Sequence, residues 1–410
     1  MHITDVDVVE APLIAHMSNA MIDFSRMTVS LVAVHTDAVV NGERVVGYGF
    51  NSNGRYAQTG ILNDRLLPRL RAADPAALVD PGTGVLDPLA VRQVVMSDEK
   101  PGGHGDRAVA VGTLDMAMWD AAAKAEGKPL ARALRDRFRP DQELPEKVWV
   151  YAAGGYYRDE DDEIAALQQE IEGYLALGYR DVKIKIGGSD LRTDLKRIEG
   201  VLHVLPPRCR LAVDANGRFD LTTAVDYGRA LGDYDLLWYE EPCDPLDFRG
   251  HAVLAEHHAG TIATGENLFS APDVRNLLRH GGLRPDRDVL QMDPCLSYGL
   301  SEYVTMLQLL SAHGWSPQRC CPHGGHQFNL AVAAAFGLQG CESYPHVFEP
   351  YGGFADETPI EEGNVRLADA PGIGIEHKSA LRELIAQRLG PRRTAPSPTE
   401  RPSSQSRHQG

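Results

Sequence analysis

Acidic residues recur at nearly constant intervals through the middle of this chain, each at the end of a short apolar run. From Asp214 the next three are Glu240, Glu266 and Asp293, with gaps of 26, 26 and 27 residues. A repeating unit of one strand, one helix and two loops takes up about 30 residues. In a (β/α)8 barrel, the ends of all such strands meet at one mouth. The spacing therefore predicts a barrel whose mouth collects carboxylates.

Strand and helix patterns alternate from residue 148 onward. Eight units of this kind favour an α/β fold of the TIM-type (β/α)7–8 barrel class, with an open doubly wound sheet as the alternative. The predicted strands are 148–152, 181–187, 210–216, 236–241, 261–266, 288–293, 318–322 and 339–342.

The first part of the chain has a different texture, with strands followed by helices. Val29–Thr36 and Arg44–Phe50 are β-rich and flank Asn41-Gly42, which is a strong hairpin signal. Residues 88–137 carry apolar residues at helical spacing, so we expect an N-terminal α+β capping domain. The predicted division is a cap over 1–145, a barrel over 146–345, a segment over 346–390 that returns to the cap, and a disordered tail over 391–410.

Composition excludes several classes of protein. The net charge of −16 lacks the basic footprint of a nucleic-acid binder. No run of 18 apolar residues and no signal peptide are present, so we expect no membrane partner. Six cysteines without a C-x-x-C pair predict a reduced, cytoplasmic protein.

Side-chain alternation along the strands predicts which groups share the mouth. Lys183 and Lys185 lie on one face of their strand, and a buried strand tolerates two lysines only near compensating carboxylates. The same alternation points Asp214 and Glu266 inward with them. It places Glu240 and Glu241 on opposite faces and does not decide between them.

Three carboxylates in one pocket repel one another unless a cation neutralises them. An all-oxygen site from Asp214, Glu240 and Glu266 suits a hard ion, of which Mg²⁺ is the best match. Such an ion would stabilise the charge left when an α-proton departs from a carboxylate substrate. A lysine base must be partly neutral to accept that proton, and a neighbouring lysine together with the metal charge would favour this.

A histidine follows the last carboxylate by 30 residues, and Asp293 with His323 forms a candidate second acid/base pair. His323 and His326 could instead form a zinc pair, but no third ligand has suitable spacing. We therefore expect His326 to start a helix.

These motifs resemble the mandelate racemase subgroup of the enolase superfamily. The residues that carry the resemblance are Lys183-Ile-Lys185, Asp214-Ala-Asn216, Glu240-Glu241-Pro242, Gly265-Glu266-Asn267 and Asp293 with His323. The resemblance implies an enolase-like fold and one Mg²⁺ per subunit on Asp214, Glu240 and Glu266. It also implies a homo-oligomer, commonly an octamer.

The resemblance further implies roles for the residues around that metal. Lys185 is expected to be the base, His323 the acid on the opposite face of the substrate, and Asp293 its partner. Lys183 is expected to contact the substrate carboxylate. The remaining expected substrate contacts are Asn19, Asn53, Lys100, Tyr156, Asn216 and Glu342.

Further segments are similar to the family of D-tartrate dehydratases. They are 51–56, 100–104, 151–157, 321–326 and 349–354. The implied reaction is a hydro-lyase reaction: loss of an α-proton and of the β-hydroxyl from a small dicarboxylate, giving oxaloacetate and water by anti elimination. Two alternatives remain, namely a dehydratase or racemase acting on another acid sugar or 2-hydroxy acid, and a barrel that binds an acid sugar without turning it over.

Overall fold

A computed structural model of the protein describes residues 1–158 and 162–390. The tail predicted over 391–410 lies outside the described residues.

The N-terminal region is built on a three-stranded antiparallel sheet in the order β1-β2-β3. Asn41 and Gly42 join the second and third strands at φ angles of 52° and 85°, the left-handed region that a tight hairpin turn requires. The strands are β1 (Ile3–Pro12), β2 (Thr28–Val40) and β3 (Glu43–Phe50).

Helices cover one face of this sheet. Glycine at position 49 permits the close approach of the longest of them, because a Cβ there would lie 2.5 Å from the carbonyl oxygen of Thr113. The helices are α1 (Thr59–Ile61), which continues through a π-helical turn (Leu62–Leu66) into α2 (Leu67–Ala72), then α3 (Pro88–Val95), α4 (Asp106–Ala125) and α5 (Leu130–Phe138).

The second region is a parallel barrel. Its strands are β4 (Lys147–Ala153), β5 (Asp181–Lys185), β6 (Leu211–Asp214), β7 (Leu236–Glu240), β8 (Ile262–Thr264), β9 (Val289–Leu290) and β10 (Cys341–Ser343). Its helices are α6 (Glu163–Ala176), α7 (Leu191–Val204), α8 (Leu221–Leu231), α9 (Phe248–His257), α10 (Ala271–His280), α11 (Leu300–Ala312) and α12 (Gln327–Phe336). Aspartate or serine side chains cap α6 to α10 at their N-termini, which fixes where each helix begins.

The barrel closes on itself. Strands β4 to β9 pair in sequence order, and β10 pairs with β4. Between β9 and β10 the predicted strand 318–322 is wrong as a strand, because Pro317–Arg319 forms a 3-10 turn and only a single bridge joins Leu290 to Cys320. Backbone bonds from Cys321 to Leu290 and from Gln339 to Cys320 complete the circle, so the sheet is closed rather than open.

The C-terminal segment contacts both regions. β11 (Ile360–Glu361) and β12 (Asn364–Arg366) form a hairpin whose second strand pairs antiparallel with β4. Helix α13 (Ser379–Leu389) packs against β1 of the cap. The predicted fold class, a barrel with an N-terminal α+β cap, is confirmed.

All six cysteines are free, and five of them are buried. Among the described residues, no helix combines the length and apolarity needed to cross a bilayer.

Candidate active site

The three spaced carboxylates meet at the carboxyl ends of neighbouring barrel strands. Asp214 and Glu240 end β6 and β7, and Glu266 follows β8 by two residues. One oxygen from each lies within 4.8 Å of the others. Asp214 and Glu240 are fully buried. Their chemistry and spacing fit a hard divalent cation bound through oxygen ligands alone.

The two lysines of β5 lie among these carboxylates, as the alternation predicted. Lys183 Nζ is 2.5 Å from Glu240 Oε1 and 2.8 Å from Glu342 Oε1. Lys185 Nζ is 2.5 Å from Asp214 Oδ2. Both lysines are buried, so each ammonium group depends on these partners for its charge.

Burial and neighbouring charges change the protonation of this cluster. Burial raises the pKa of Glu240, and the charge of Asp214 adds to this, so that the pKa is about 8. Burial lowers the pKa of Lys185, but the negative charges around it, of which Asp214 is the strongest, together outweigh burial and the net change is upward. Lys183 lowers the pKa of Lys185, in the direction expected from the sequence, but less than Asp214 raises it. Without a cation, the carboxylates therefore hold Lys185 in its charged form.

Asp293 and His323 form the predicted pair. His323 Nδ1 is 3.1 Å from Asp293 Oδ2, which leaves Nε2 facing Glu266 Oε2 at 3.8 Å. Burial lowers the pKa of His323, but Glu266 and the hydrogen bond with Asp293 raise it to about 9 overall. The imidazole is therefore protonated at neutral pH and able to donate a proton into the site.

A serine from the cap binds the aspartate of this pair. Ser52 Oγ donates to Asp293 Oδ2 at 2.7 Å and lies 3.1 Å from His326 Nε2. His326 stands at the start of α12, as expected. Burial lowers its pKa to about 4, so it is a neutral hydrogen-bonding residue at neutral pH.

A cavity of about 340 Å³ opens over the cluster, between the cap and the barrel mouth. Lys185, Glu266 and His323 line it. The predicted contacts that also line it are Asn19, Asn53, Tyr156 and Asn216.

Three predicted substrate contacts do not line this cavity. Lys183 and Glu342 lie beneath it, where they pair with each other. Lys100 is exposed on the loop before α4, and its carbonyl oxygen accepts from Arg107. The structure thus brings Lys185 and His323 to the cavity but leaves Lys100 outside it.

Glu241 departs from simple strand alternation. Its φ of 37° lies in the left-handed region. Its side chain lines the cavity. Both of its carboxylate oxygens accept from Asn267 Nδ2, at 2.8 and 3.0 Å. Asn267 Oδ1 in turn accepts from Arg55 of the cap. Strand alternation does not extend to Glu241, because the strand ends at Glu240 and the chain bends there.

The sequence did not predict Ser52 or Arg55 as site residues, and it offered Glu241 only as the alternative to Glu240. Ser52 and Asp293 are 241 residues apart, and no periodicity links them. A short run of polar residues directly after a strand, here 51–56 after β3, was the available signal.

Comparison with known proteins places this geometry in a family. The model of the family described as enolase C-terminal domain-like matches residues 166–381. The chain is 28% identical to L-talarate/galactarate dehydratase of Salmonella typhimurium strain LT2, over 67% of this chain and 64% of that protein. It is 30% identical to 3,6-anhydro-alpha-L-galactonate cycloisomerase of Streptomyces coelicolor, over 67% and 70%.

Solved structures agree at the level of the fold. L-talarate/galactarate dehydratase from S. typhimurium LT2, liganded with Mg and L-lyxarohydroxamate, matches with a TM-score of 0.71 at 23% identity. The match covers 90% of this chain and 88% of the other. The matched domain spans more than half of the chain and carries the lysines, the carboxylates and His323, and the chain belongs to the enolase superfamily.

Proposed function

We propose that this protein is a Mg²⁺-dependent dehydratase of a small acid-sugar dicarboxylate, with D-tartrate as the favoured substrate. The observation that carries the proposal is that Lys185, His323 and Glu266 line one cavity directly above the carboxylate cluster. A protein that only binds an anion does not need a lysine base and a histidine acid in the same cavity. Segments 51–56, 151–157 and 321–326, which resemble D-tartrate dehydratases, all contribute residues to this lining.

The proposed metal site consists of Asp214, Glu240 and Glu266. Bound there, Mg²⁺ would neutralise these carboxylates, weaken the hold of Asp214 on Lys185 and stabilise negative charge on a substrate carboxylate. The relative whose structure was solved with Mg supports this choice of ion.

Lys185 and His323 then carry out the two proton transfers of the reaction. Lys185 takes the α-proton with its Nζ, for which it must first lose a proton of its own. His323 gives the proton on Nε2 to the departing β-hydroxyl, which leaves as water. Asp293 holds Nδ1, so that the other ring nitrogen faces the cavity. The enol that results tautomerises to oxaloacetate, and the overall change is the loss of one water.

The cap supplies further residues of the site. Asn19 and Asn53 from the cap face the same cavity and offer amide donors to substrate hydroxyl or carboxylate oxygens. Because these residues come from a different region than Lys185, substrate is enclosed only when cap and barrel are together, and the enclosed site excludes water.

The test is turnover of the three tartrate stereoisomers and a panel of longer acid sugars with Mg²⁺, with products identified by NMR. Formation of oxaloacetate from D-tartrate supports the proposal in full. Turnover of a longer sugar acid alone keeps the dehydratase and removes the substrate. Recovery of an epimer with its hydroxyl retained identifies a racemase, which the same pair of Lys185 and His323 would also permit.

A lysine variant separates catalysis from binding. Lys185→Met should lower turnover by about 10²–10⁴-fold, the range typical of a general base. It should also abolish exchange of the substrate α-proton in D₂O. Equal turnover by the variant and the unmodified protein would exclude Lys185 as the base, and the absence of turnover by both would favour the binding barrel.

A further inference from the structure

A dicarboxylate needs a second cationic group, away from the metal. Three basic side chains of the described residues line the cavity, namely Arg55, Lys185 and His323. Lys185 is paired with Asp214, and His323 with Asp293. Arg55 forms no salt bridge with any carboxylate in the described part of the chain. It is thus the one lining cation among these residues whose charge no carboxylate has already neutralised.

Neutral groups hold the Arg55 guanidinium in place. Its Nη2 donates to Asn267 Oδ1, and its Nη1 donates to the Gly54 carbonyl oxygen at 2.6 Å. The guanidinium carbon also lies 5.0 Å from the centre of the Phe269 ring. These contacts orient the planar group and keep its full positive charge available.

The support for Arg55 comes from the barrel mouth itself. Asn267 follows the metal-ligand candidate Glu266, and Glu241, which holds Asn267, follows Glu240. These contacts fix the position of the Arg55 guanidinium with respect to the carboxylate cluster, although Arg55 belongs to the cap. A substrate with one carboxylate at the cluster would meet Arg55 from the lid side.

We propose that Arg55 binds the distal carboxylate of the substrate and so selects dicarboxylates over monocarboxylates, a role that rests on the proposed function. A planar guanidinium can donate two parallel hydrogen bonds to one carboxylate, which a lysine ammonium cannot. The family resemblance had named Lys100 among the expected substrate contacts. Lys100 is exposed and does not line the cavity.

The experiment compares ligand classes in the Mg²⁺-loaded protein. Affinities of D-tartrate and D-malate, as dicarboxylates, and of D-glycerate, as a monocarboxylate, are measured by calorimetry in the Lys185→Met background, so that D-tartrate is not turned over during the titration. Arg55→Gln should weaken both dicarboxylates about tenfold or more and leave glycerate within about twofold, because only the distal carboxylate loses its charged partner. Arg55→Lys, which keeps the charge without the fork, should lie between. Arg44→Gln, at an exposed position of β3, is the matched control and should change neither class.

Two results would overturn the proposal. One is an equal loss of affinity for glycerate and the dicarboxylates in both Arg55 variants, which would indicate that Arg55 only shapes the lid. The other is selective loss of dicarboxylate binding in Lys100→Gln but not in Arg55→Gln. Binding is read without turnover, so an Arg55-dependent preference for dicarboxylates in a protein that dehydrates none of them would refute the proposed reaction and leave this inference standing.

Discussion

At the scale of single residues, the site depends on contacts that link the cap to the catalytic pair. Ser52 is fully buried and donates to the same Asp293 oxygen that accepts from His323. A carboxylate with two donors on one oxygen is fixed in orientation, and it fixes the imidazole in turn. Ser52, a residue of the cap, therefore helps to align His323, the proposed acid, although Ser52 does not line the cavity.

Replacing Ser52 with alanine should lower kcat about tenfold and leave KM within about twofold. The variant removes one hydrogen bond to a buried carboxylate, whose loss is worth about 1–3 kcal/mol. Steady-state kinetics on the substrate found in the panel provide the measurement. Ser25→Ala, an exposed cap position, serves as the control and should match the unmodified protein. A rise in KM without a fall in kcat would show that Ser52 acts on substrate binding and not on the catalytic pair.

At the scale of elements, helix α4 is one of the cap helices that contact the barrel. Its Gly112 packs against the chain that follows β9, and a Cβ there would lie 2.5 Å from the Cys295 carbonyl oxygen. Three residues on, Asp115 Oδ2 accepts from the Leu300 N–H at the first turn of α11. One helix of the cap thus packs against and caps elements of the barrel near Asp293.

Gly112→Ala should destabilise the protein by about 1–3 kcal/mol, because backbone and not a flexible side chain occupies the space. Gly60→Ala is the matched control, since no heavy atom lies within 4 Å of a Cβ at that helical position. The control should be neutral or slightly stabilising. Unfolding midpoints in urea report both variants. Equal urea midpoints for the two variants would mean that α4 can move away from the 294–295 backbone without loss of stability.

Asp115 gives α4 a pH-dependent effect on stability. Burial raises its pKa to about 7, and the hydrogen bond from Leu300 opposes this only in part. Between the unfolded value of 3.8 and about 7, the folded state holds a proton that the unfolded state has lost. The contribution of this group to the free energy of unfolding therefore falls as pH rises through that window, by about 1.4 kcal/mol per pH unit.

In Asp115→Asn this loss should disappear, because an amide does not titrate. The melting temperature of the variant, relative to the unmodified protein, should increase from pH 4 to pH 7 and stay constant above pH 7. Thermal unfolding at several pH values tests this. Parallel profiles for the two proteins would show that the Asp115 carboxyl ionises in the folded state as it does in the unfolded chain.

At the scale of the whole molecule, cap and barrel share one core. A single cluster of buried apolar residues includes Leu31 and Phe50 of the cap together with Val150 and Ile184 of the barrel. The cavity between them takes its lining from both regions. Binding at the mouth should therefore stabilise the molecule as a whole, because the ligand has no site in the unfolded chain.

Mg²⁺ should raise the melting temperature, with a stabilisation of about 2.7 kcal/mol at a concentration 100 times Kd. Glu240→Gln should abolish this increase, because a neutral amide replaces one of the three carboxylates of the cluster. Glu241→Gln should retain it, since Glu241 binds Asn267 and stands outside the carboxylate cluster. The reverse result would transfer the metal-ligand role from Glu240 to Glu241. Thermal scans with and without Mg²⁺ decide between them.

The sequence alone determined the fold class and the groups around the proposed cation. These follow from local rules, since strand alternation placed Lys183 beside Lys185, and a regular repeat brought Asp214, Glu240 and Glu266 to one edge. The choice of Glu240 over Glu241 came from the family resemblance and not from the spacing. The division of the chain into cap, barrel and returning segment remains a prediction of that pattern.

Only the tertiary structure decided which cap residues meet the barrel. Ser52 and Arg55 reach Asp293 and Asn267 across more than 200 residues, and no sequence period records such contacts. The same packing leaves Lys100 outside the cavity and turns Glu241 into it. Periodicity specifies the direction of a side chain within its own element. Contacts between elements depend on how two surfaces fit when the chain folds, and that fit sets the lid side of this site.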